Sequence, residues 1–144
     1  MFSGAYSHAV DNKGRTVIPS RFRSKLGEQF YVTRGMHGCL WVFSDDAWRE
    51  FQKLLTPTFP LDGNGLKLER FFVGSAVECS PDAQGRIFIP QNLRDYAGIT
   101  SEIWVVGLGG KLEIWSDEKW RQFNTDLTDE VIQQLGADLL QRQV

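Results

Sequence analysis

Asp11-Asn12-Lys13-Gly14-Arg15-Thr16-Val17-Ile18-Pro19 returns later in the chain as Asp82-Ala83-Gln84-Gly85-Arg86-Ile87-Phe88-Ile89-Pro90. Asp, Gly, Arg, Ile and Pro recur in the same order at an offset of 71 residues, which also carries Arg23 onto Arg94 and Gly27 onto Gly98. One inserted residue in the second copy raises the offset to 72. Gly35 then meets Gly107, Leu40 meets Leu112, Ser44-Asp45 meets Ser116-Asp117, Trp48-Arg49 meets Trp120-Arg121, and Phe51 meets Phe123. So many ordered identities with one gap mark a tandem duplication of a unit of about 45 residues.

Each copy parses in the same way. A strand (6–10; 76–79) enters a turn made by Asp, which bonds its own local backbone, and Gly, which accepts positive φ. A second strand follows (16–18; 86–89). Pro then opens a short helix carrying Phe22 and Leu26, or Leu93 and Ala97, which Gly27 or Gly98 stops. Two further strands come next (30–33 and 40–43; 103–106 and 111–115), with Gly107-Leu108-Gly109-Gly110 read as a hairpin turn. Ser44 and Ser116 are N-cap candidates for helices that are predicted to bury Trp48 with Phe51 and Trp120 with Phe123.

A unit this short buries little core of its own, so the two are expected to interleave or pack face to face as one β-rich α+β barrel. The reading divides the chain into a first repeat (5–52), a linker with a short helix at 66–72 (53–74), a second repeat (75–124) and a helical tail (125–144). The loop 56–65, with Pro57 and Pro60, joins the copies. Val131, Ile132, Leu135, Leu139 and Leu140 give the tail amphipathic spacing, with Gly136 as a weak break.

The 144 residues are 42% hydrophobic and 12% aromatic, which suffices for a real core and excludes a disordered chain. No window approaches ~18 uninterrupted apolar residues, so no spanning helix is expected. The N-terminus lacks the basic flank and apolar run of a secretory signal, and a cytosolic protein is expected. Cys39 and Cys79 are isolated and belong to no C-x-x-C, which argues against a disulfide scaffold, a metal site or a redox motif.

The net charge of −2 hides an asymmetry. Residues 1–35 hold Lys13, Arg15, Arg21, Arg23, Lys25 and Arg34 against Asp11 and Glu28, and the rest of the chain is net acidic. A basic N-terminal third in an acidic whole is a localised electrostatic footprint. Arginine presents a planar fork of donors that matches guanine O6 and N7. Arg15 follows Gly14 at a turn tip, and Asn12 and Lys13 stand beside it to hold phosphate or a base edge. Arg21, Arg23 and Lys25 extend the basic run for phosphate contacts. The competing reading pairs Asp11 with Arg15 to brace the turn. Arg15, among Lys13, Arg21 and Arg23, is read as contacting DNA. Arg86 stands among Asp82, Asp95 and Gln84, whose charges favour a structural role, and it stays a candidate. Arg23 and Arg94 recur in both copies and are read as structural ion pairs.

The stretch Gly4-x-Tyr6-x-His8-x-Val10-Asp11-x-Lys13-Gly14-Arg15, with Ile18-Pro19 and Phe22-Arg23, resembles the opening of the MraZ family. The second half resembles it too, in Gly74-Ser75-Ala76-x-Glu78-Cys79, Asp82-x-x-Gly85-Arg86, Ile89-Pro90, Leu93-Arg94 and Ala97-Gly98. That resemblance implies an AbrB/SpoVT-type swapped-hairpin barrel and a DNA-binding regulator of its own operon in the division and cell-wall gene cluster. It also implies protomers assembled into rings, association with the nucleoid, and no cofactor. The second turn carries Ala83-Gln84 where the first carries Asn12-Lys13. A ring would let several hairpins engage several short promoter boxes at once, spaced about one helical turn (~10 base pairs), and so gain avidity. Phe2, Phe71, Phe72 and the tail helix are candidate protomer contacts.

Enzymatic motifs are missing. His8 and His37 lie far apart, no H-E-x-x-H, G-x-S-x-G or P-loop occurs, and Glu78, Asp82 and Asp95 mark no acid–base pair. No basic amphipathic stretch suggests a membrane surface. The remaining rival is an antitoxin-like barrel that binds a protein partner.

Overall fold

The computed structural model describes residues 1–56 and 63–142. Part of the linker expected at 53–74, residues 57–62, lies outside the described residues. The elements are β1 (Phe2–Ala9), β2 (Arg15–Val17), α1 (Ser20–Leu26), β3 (Phe30–Arg34), β4 (Leu40–Ser44), α2 (Asp45–Leu55), α3 (Gly63–Phe72), β5 (Val77–Cys79), β6 (Arg86–Phe88), α4 (Gln91–Ala97), β7 (Glu102–Gly109), β8 (Lys111–Ser116), α5 (Asp117–Asp126) and α6 (Asp129–Gln141). A 3₁₀ turn, Met36–Gly38, joins β3 to β4.

The α+β class is as expected. Ser44 Oγ accepts from the Ala47 N–H at 3.2 Å and Ser116 Oγ from the Lys119 N–H at 3.1 Å, so both serines cap the helices they were read to start. Gly27 and Gly98 end α1 and α4 at positive φ. Pro19 and Pro90 stand at the cap positions of those helices, one residue ahead of the first turn. The Gly109–Gly110 link closes the β7–β8 hairpin, as its glycines suggest.

Six strands form one antiparallel sheet in the order β1-β7-β8-β4-β3-β5, and β2 pairs with β6 in a separate ribbon. The halves interleave reciprocally. β1 of the first half pairs with β7 of the second, and β5 of the second pairs with β3 of the first. Thr16 lies directly opposite Ile87, and Trp41 directly opposite Glu113. These are positions related by the repeat offsets, so the β2–β6 and β4–β8 pairings are centred on equivalent residues.

The expected barrel does not close. β1 pairs only with β7 and β5 only with β3, so the sheet has two free ends. β5 is three residues long against the eight of β1, and β2 and β6 pair with each other instead of bridging those ends. One apolar cluster fills the space between sheet, ribbon, α1 and α4, centred on Phe22, Phe30, Ile18, Ile89, Leu93, Ile103 and Ile114. A second lies under α2 and α3, where Trp41 stacks on Phe72 at 5.4 Å.

Three packing expectations need correction. Trp48 is buried in α2, but α5 buries none of its residues: Trp120 is half-buried and Phe123 exposed. α3 covers the first pair, and no described helix covers the second. Phe2 and Phe72, expected on a protomer surface, are core residues, and Phe71 packs under the Arg34 guanidinium at 4.1 Å. Finally, α6 runs unbroken through Gly136, because one glycine in an otherwise good helix costs only about 1 kcal/mol.

Candidate nucleic-acid interface

The two Asp-x-x-Gly-Arg segments fold into the same turn. Asp11 Oδ1 accepts from the Lys13 and Arg15 backbone N–H groups at 2.9 Å each, and its Oδ2 accepts from Arg15 Nε at 2.8 Å. Asp82 does the same with Gln84 and Arg86, at 2.9, 2.9 and 2.8 Å. Gly14 and Gly85 sit at φ 88° and 78°, a conformation that L side chains rarely adopt. The backbone N–H of Arg15 is the main cause that holds the Asp11 carboxyl below its ordinary value, with the Arg15 guanidinium adding to it. The Arg86 N–H does the same for Asp82.

The bracing expected for Asp11 and Arg15 forms, Asp82 and Arg86 form the same pair, and neither consumes its arginine. Nε faces the carboxylate, while the Arg15 and Arg86 side chains remain 37% and 38% exposed. A salt bridge on Nε orients the guanidinium fork and leaves terminal N–H groups to bond elsewhere. Asn12 and Lys13 are exposed at the first turn, as are Ala83 and Gln84 at the second. Gly14 is buried: a Cβ there would meet Arg94 Nε and Cζ at 2.7 Å.

Period-two alternation then builds a shared face. Thr16 and Ile87 point into the core, so Arg15, Val17, Arg86 and Phe88 point outward. Arg15 is directly opposite Phe88 and Val17 opposite Arg86. The two arginines are thus diagonal neighbours on one exposed two-stranded ribbon. Geometry draws no distinction between them; only their neighbours' charges do.

Arg94 Cζ lies 6.0 Å from the Phe88 ring centroid, beside this face, whereas Arg21 and Lys25 are engaged with the N-terminal segment. Arg21, on α1, donates to the Tyr6 hydroxyl of β1 and lies 5.5 Å from that ring's centroid. Lys25 Nζ donates to the Met1 carbonyl at 2.9 Å. The ion pairs expected for Arg23 and Arg94 do not form among the described residues. Arg94 Nε instead donates to the Ile89 carbonyl at 2.8 Å, and the Arg23 guanidinium packs against the Gly85 turn with its Nε buried and unpaired. Each arginine thus supports the turn of the other half, a contact that repeat spacing alone does not reveal.

Phe88 escaped the sequence reading. It is a phenyl ring 53% exposed between two fully buried or nearly buried isoleucines, Ile87 and Ile89. The only available signal was the alternation of its strand. Among the described residues there is no group of His, Cys, Asp and Glu suited to a metal ion, and no helix is long and apolar enough to cross a membrane. Cys39 and Cys79 are free and buried, and burial raises the Cys79 thiol to about 11.

Known proteins resemble this chain over most of its length. A family model described as "MraZ protein, putative antitoxin-like" matches residues 1–58 and 72–143. A Transcriptional regulator MraZ of Lachnoclostridium phytofermentans is 44% identical over 131 residues, covering 91% of this chain and 92% of its own. The protein of that name from Alkaliphilus metalliredigens is 43% identical over 126 residues, with 88% of each chain covered. Another from Thermoanaerobacter sp. is 42% identical over 142 residues, with 96% of this chain and 99% of its own covered. These are names of regulators, not of enzymes. By the family model and by relatives alike, the chain belongs to the MraZ family.

Proposed function

We propose that this protein is a sequence-specific transcriptional regulator that binds double-stranded DNA through the β2–β6 ribbon. The observation that carries the reading is the ribbon's outer face, where Arg15 and Arg86 are braced by their own turn aspartates beside exposed Asn12 and Lys13. A two-stranded ribbon fits the major groove, and an oriented guanidinium gives about 1–3 kcal/mol of base discrimination. Arg15 and Arg86 read base edges, and Lys13, Asn12 and the Gly14 turn hold phosphate. Arg21 supplies a flanking phosphate contact. The basic surroundings of Arg15 make it the stronger contact of the pair.

The reciprocal pairing of β1 with β7 and β5 with β3 supports a duplicated swapped-hairpin fold of the AbrB/SpoVT type, with repeats at 5–52 and 75–124. The regulator acts in the cytoplasm on the nucleoid. Its target is the promoter of its own operon, in the division and cell-wall gene cluster, where tandem boxes face a homo-oligomeric ring. One ribbon presents few contacts, so the assembly supplies affinity by multivalence.

Fluorescence anisotropy on the DNA upstream of the gene tests this, with wild type beside Arg15→Ala and Arg86→Ala at several salt concentrations. Specific binding with a steep salt slope, lost in Arg15→Ala and weakened less in Arg86→Ala, is expected. Absence of specific binding by the wild type at low salt would refute it. The family description also contains the word antitoxin, which favours a second reading: a barrel-like module that binds a protein partner. That reading requires a stable heteromeric complex on purification and no operator binding.

A further inference from the structure

Phe88 is the most exposed aromatic side chain among the described residues, at 53%. Its chain neighbours Ile87 and Ile89 are 3% and 0% exposed, so period-two alternation turns the ring outward. The first half carries Val17 at the equivalent repeat position, and Val17 is half-buried. The outer face of the ribbon is therefore built from two opposed pairs, Arg15 with Phe88 and Val17 with Arg86. The arginines match across the repeat; the apolar residues do not.

The ring stands among cations. Arg15 and Arg86 are each held by a turn aspartate at 2.8 Å. Arg94 Cζ lies 6.0 Å from the ring centroid, while Arg94 Nε is anchored on the Ile89 carbonyl at 2.8 Å. A guanidinium at that distance from an aromatic face steadies the ring's orientation. Phe88 thus shares its surface with the groups that address a polyanion, and with no apolar cluster of its own.

The major groove of DNA offers one apolar feature, the C5-methyl group of thymine, and phenylalanine is among the side chains that pack on it. Directly opposed residues of an antiparallel ribbon have Cβ atoms about 4.5–5.5 Å apart. Nucleotides along one strand are spaced by about 3.4 Å. With Arg15 on a guanine, the Phe88 ring falls about one to two base pairs away. Arg86 faces Val17 instead, a shorter side chain that is half-buried.

We infer that Phe88 is a specificity-determining residue that packs on the C5-methyl group of a thymine beside the guanine read by Arg15. The inference rests on the DNA-binding reading above and sharpens it. A ribbon with two equal arginines reads guanine equally well in either orientation on the duplex. A methyl contact at one end alone makes the two orientations unequal, so the ribbon docks with a polarity.

The test uses the full-length protein and the DNA upstream of its gene, prepared once with thymidine and once with deoxyuridine throughout. Deoxyuridine lacks the C5-methyl group and keeps the pairing edge. By anisotropy, wild type should bind the deoxyuridine fragment more weakly, by about fourfold for each methyl group contacted. Phe88→Ala should bind the thymidine fragment as weakly as wild type binds the other, and should not distinguish the two. Single deoxyuridine substitutions should confine the effect to thymines within about two base pairs of a guanine that binding requires. The exposure of Phe88 predicts unchanged circular dichroism and Tm for the variant. Phe88→Val, with the side chain of the first half, keeps strand propensity and should show the same indifference to the methyl groups.

If both variants lose affinity on deoxyuridine DNA as wild type does, the methyl groups act through DNA shape and the contact is overturned. If wild type does not distinguish the fragments while Phe88→Ala binds both weakly, the ring inserts between bases, and the methyl contact is again overturned. Full affinity of Phe88→Ala for thymidine DNA overturns it as well. These three results leave the ribbon reading standing, whereas a wild type that binds neither fragment overturns both.

Discussion

Arg94 lies beneath Gly14, so close that a Cβ on that glycine would fall 2.7 Å from the arginine's Nε and Cζ. The Gly85 turn meets the Arg23 guanidinium in the corresponding way. The helix of each half thus buttresses the turn of the other. Gly14→Ala has to overcome both a φ of 88° and this contact. Urea unfolding should show a loss of about 2–3 kcal/mol. Gly98→Ala, at φ 68° with its nearest neighbour, Lys119 Cε, at 3.3 Å, meets a looser contact and should lose about 1 kcal/mol. Equal losses would mean that Arg94 moves freely and that the buttress has no energetic content.

Arg15 and Lys13 should fail differently. Arg15→Ala is expected to cost about 1–3 kcal/mol of operator affinity and to relax base preference at one position. Lys13→Ala is expected to weaken binding to all sequences alike and to lower the salt slope by about 1. Competition anisotropy against scrambled DNA distinguishes them. A Lys13→Ala variant with altered base preference would reverse the roles.

Three carboxylates give the fold an acid limb. Asp11 and Asp82 are held below the ordinary 3.8 chiefly by the N–H groups of Arg15 and Arg86, and Asp117 chiefly by the Trp104 indole N–H. A depressed native pKa means that the unfolded chain binds protons first. The stabilisation is therefore complete above 3.8 and is lost as pH falls below it, through the lowered native values. Tm should drop between about pH 4 and pH 2, and the drop should shrink in the Asp11→Asn, Asp82→Asn double variant. An unchanged acid limb in that variant would place the titration elsewhere.

Phe22 anchors α1 to the sheet. It is 2% exposed and meets Phe2 and Tyr6 edge-on at 5.7 and 5.5 Å. Phe22→Ala should cost about 3–5 kcal/mol by chemical denaturation. A loss under about 1 kcal/mol would mean that the cluster collapses around the gap.

Cys79 should resist modification in the native state. It is 7% exposed, and burial raises its thiol to about 11. A thiol-reactive dye near pH 8 should label it only after denaturant is added. Rapid native labelling would show local opening of β5.

Much of this molecule was legible from local chemistry. The Asp-x-x-Gly-Arg turns, the serine caps and the two glycine stops each depend on residues within four positions of one another, where backbone sterics and short hydrogen bonds decide the outcome. Their repetition predicts two equivalent units, and the basic N-terminal third singles out the first turn for the proposed DNA contact. Tertiary structure alone decided how those units meet. Nothing in the strand pattern says that β2 pairs with β6 apart from the sheet, or that β1 and β5 leave it unclosed. Nor does it say that Arg23 and Arg94 support turns across the repeat instead of forming ion pairs. The equal exposure of Arg15 and Arg86, the outward Phe88 and the uncovered α5 have the same origin. Most of these depend on partners distant in sequence, as with Arg15 directly opposite Phe88. Periodicity states which face of an element is apolar; it does not state which other face will cover it.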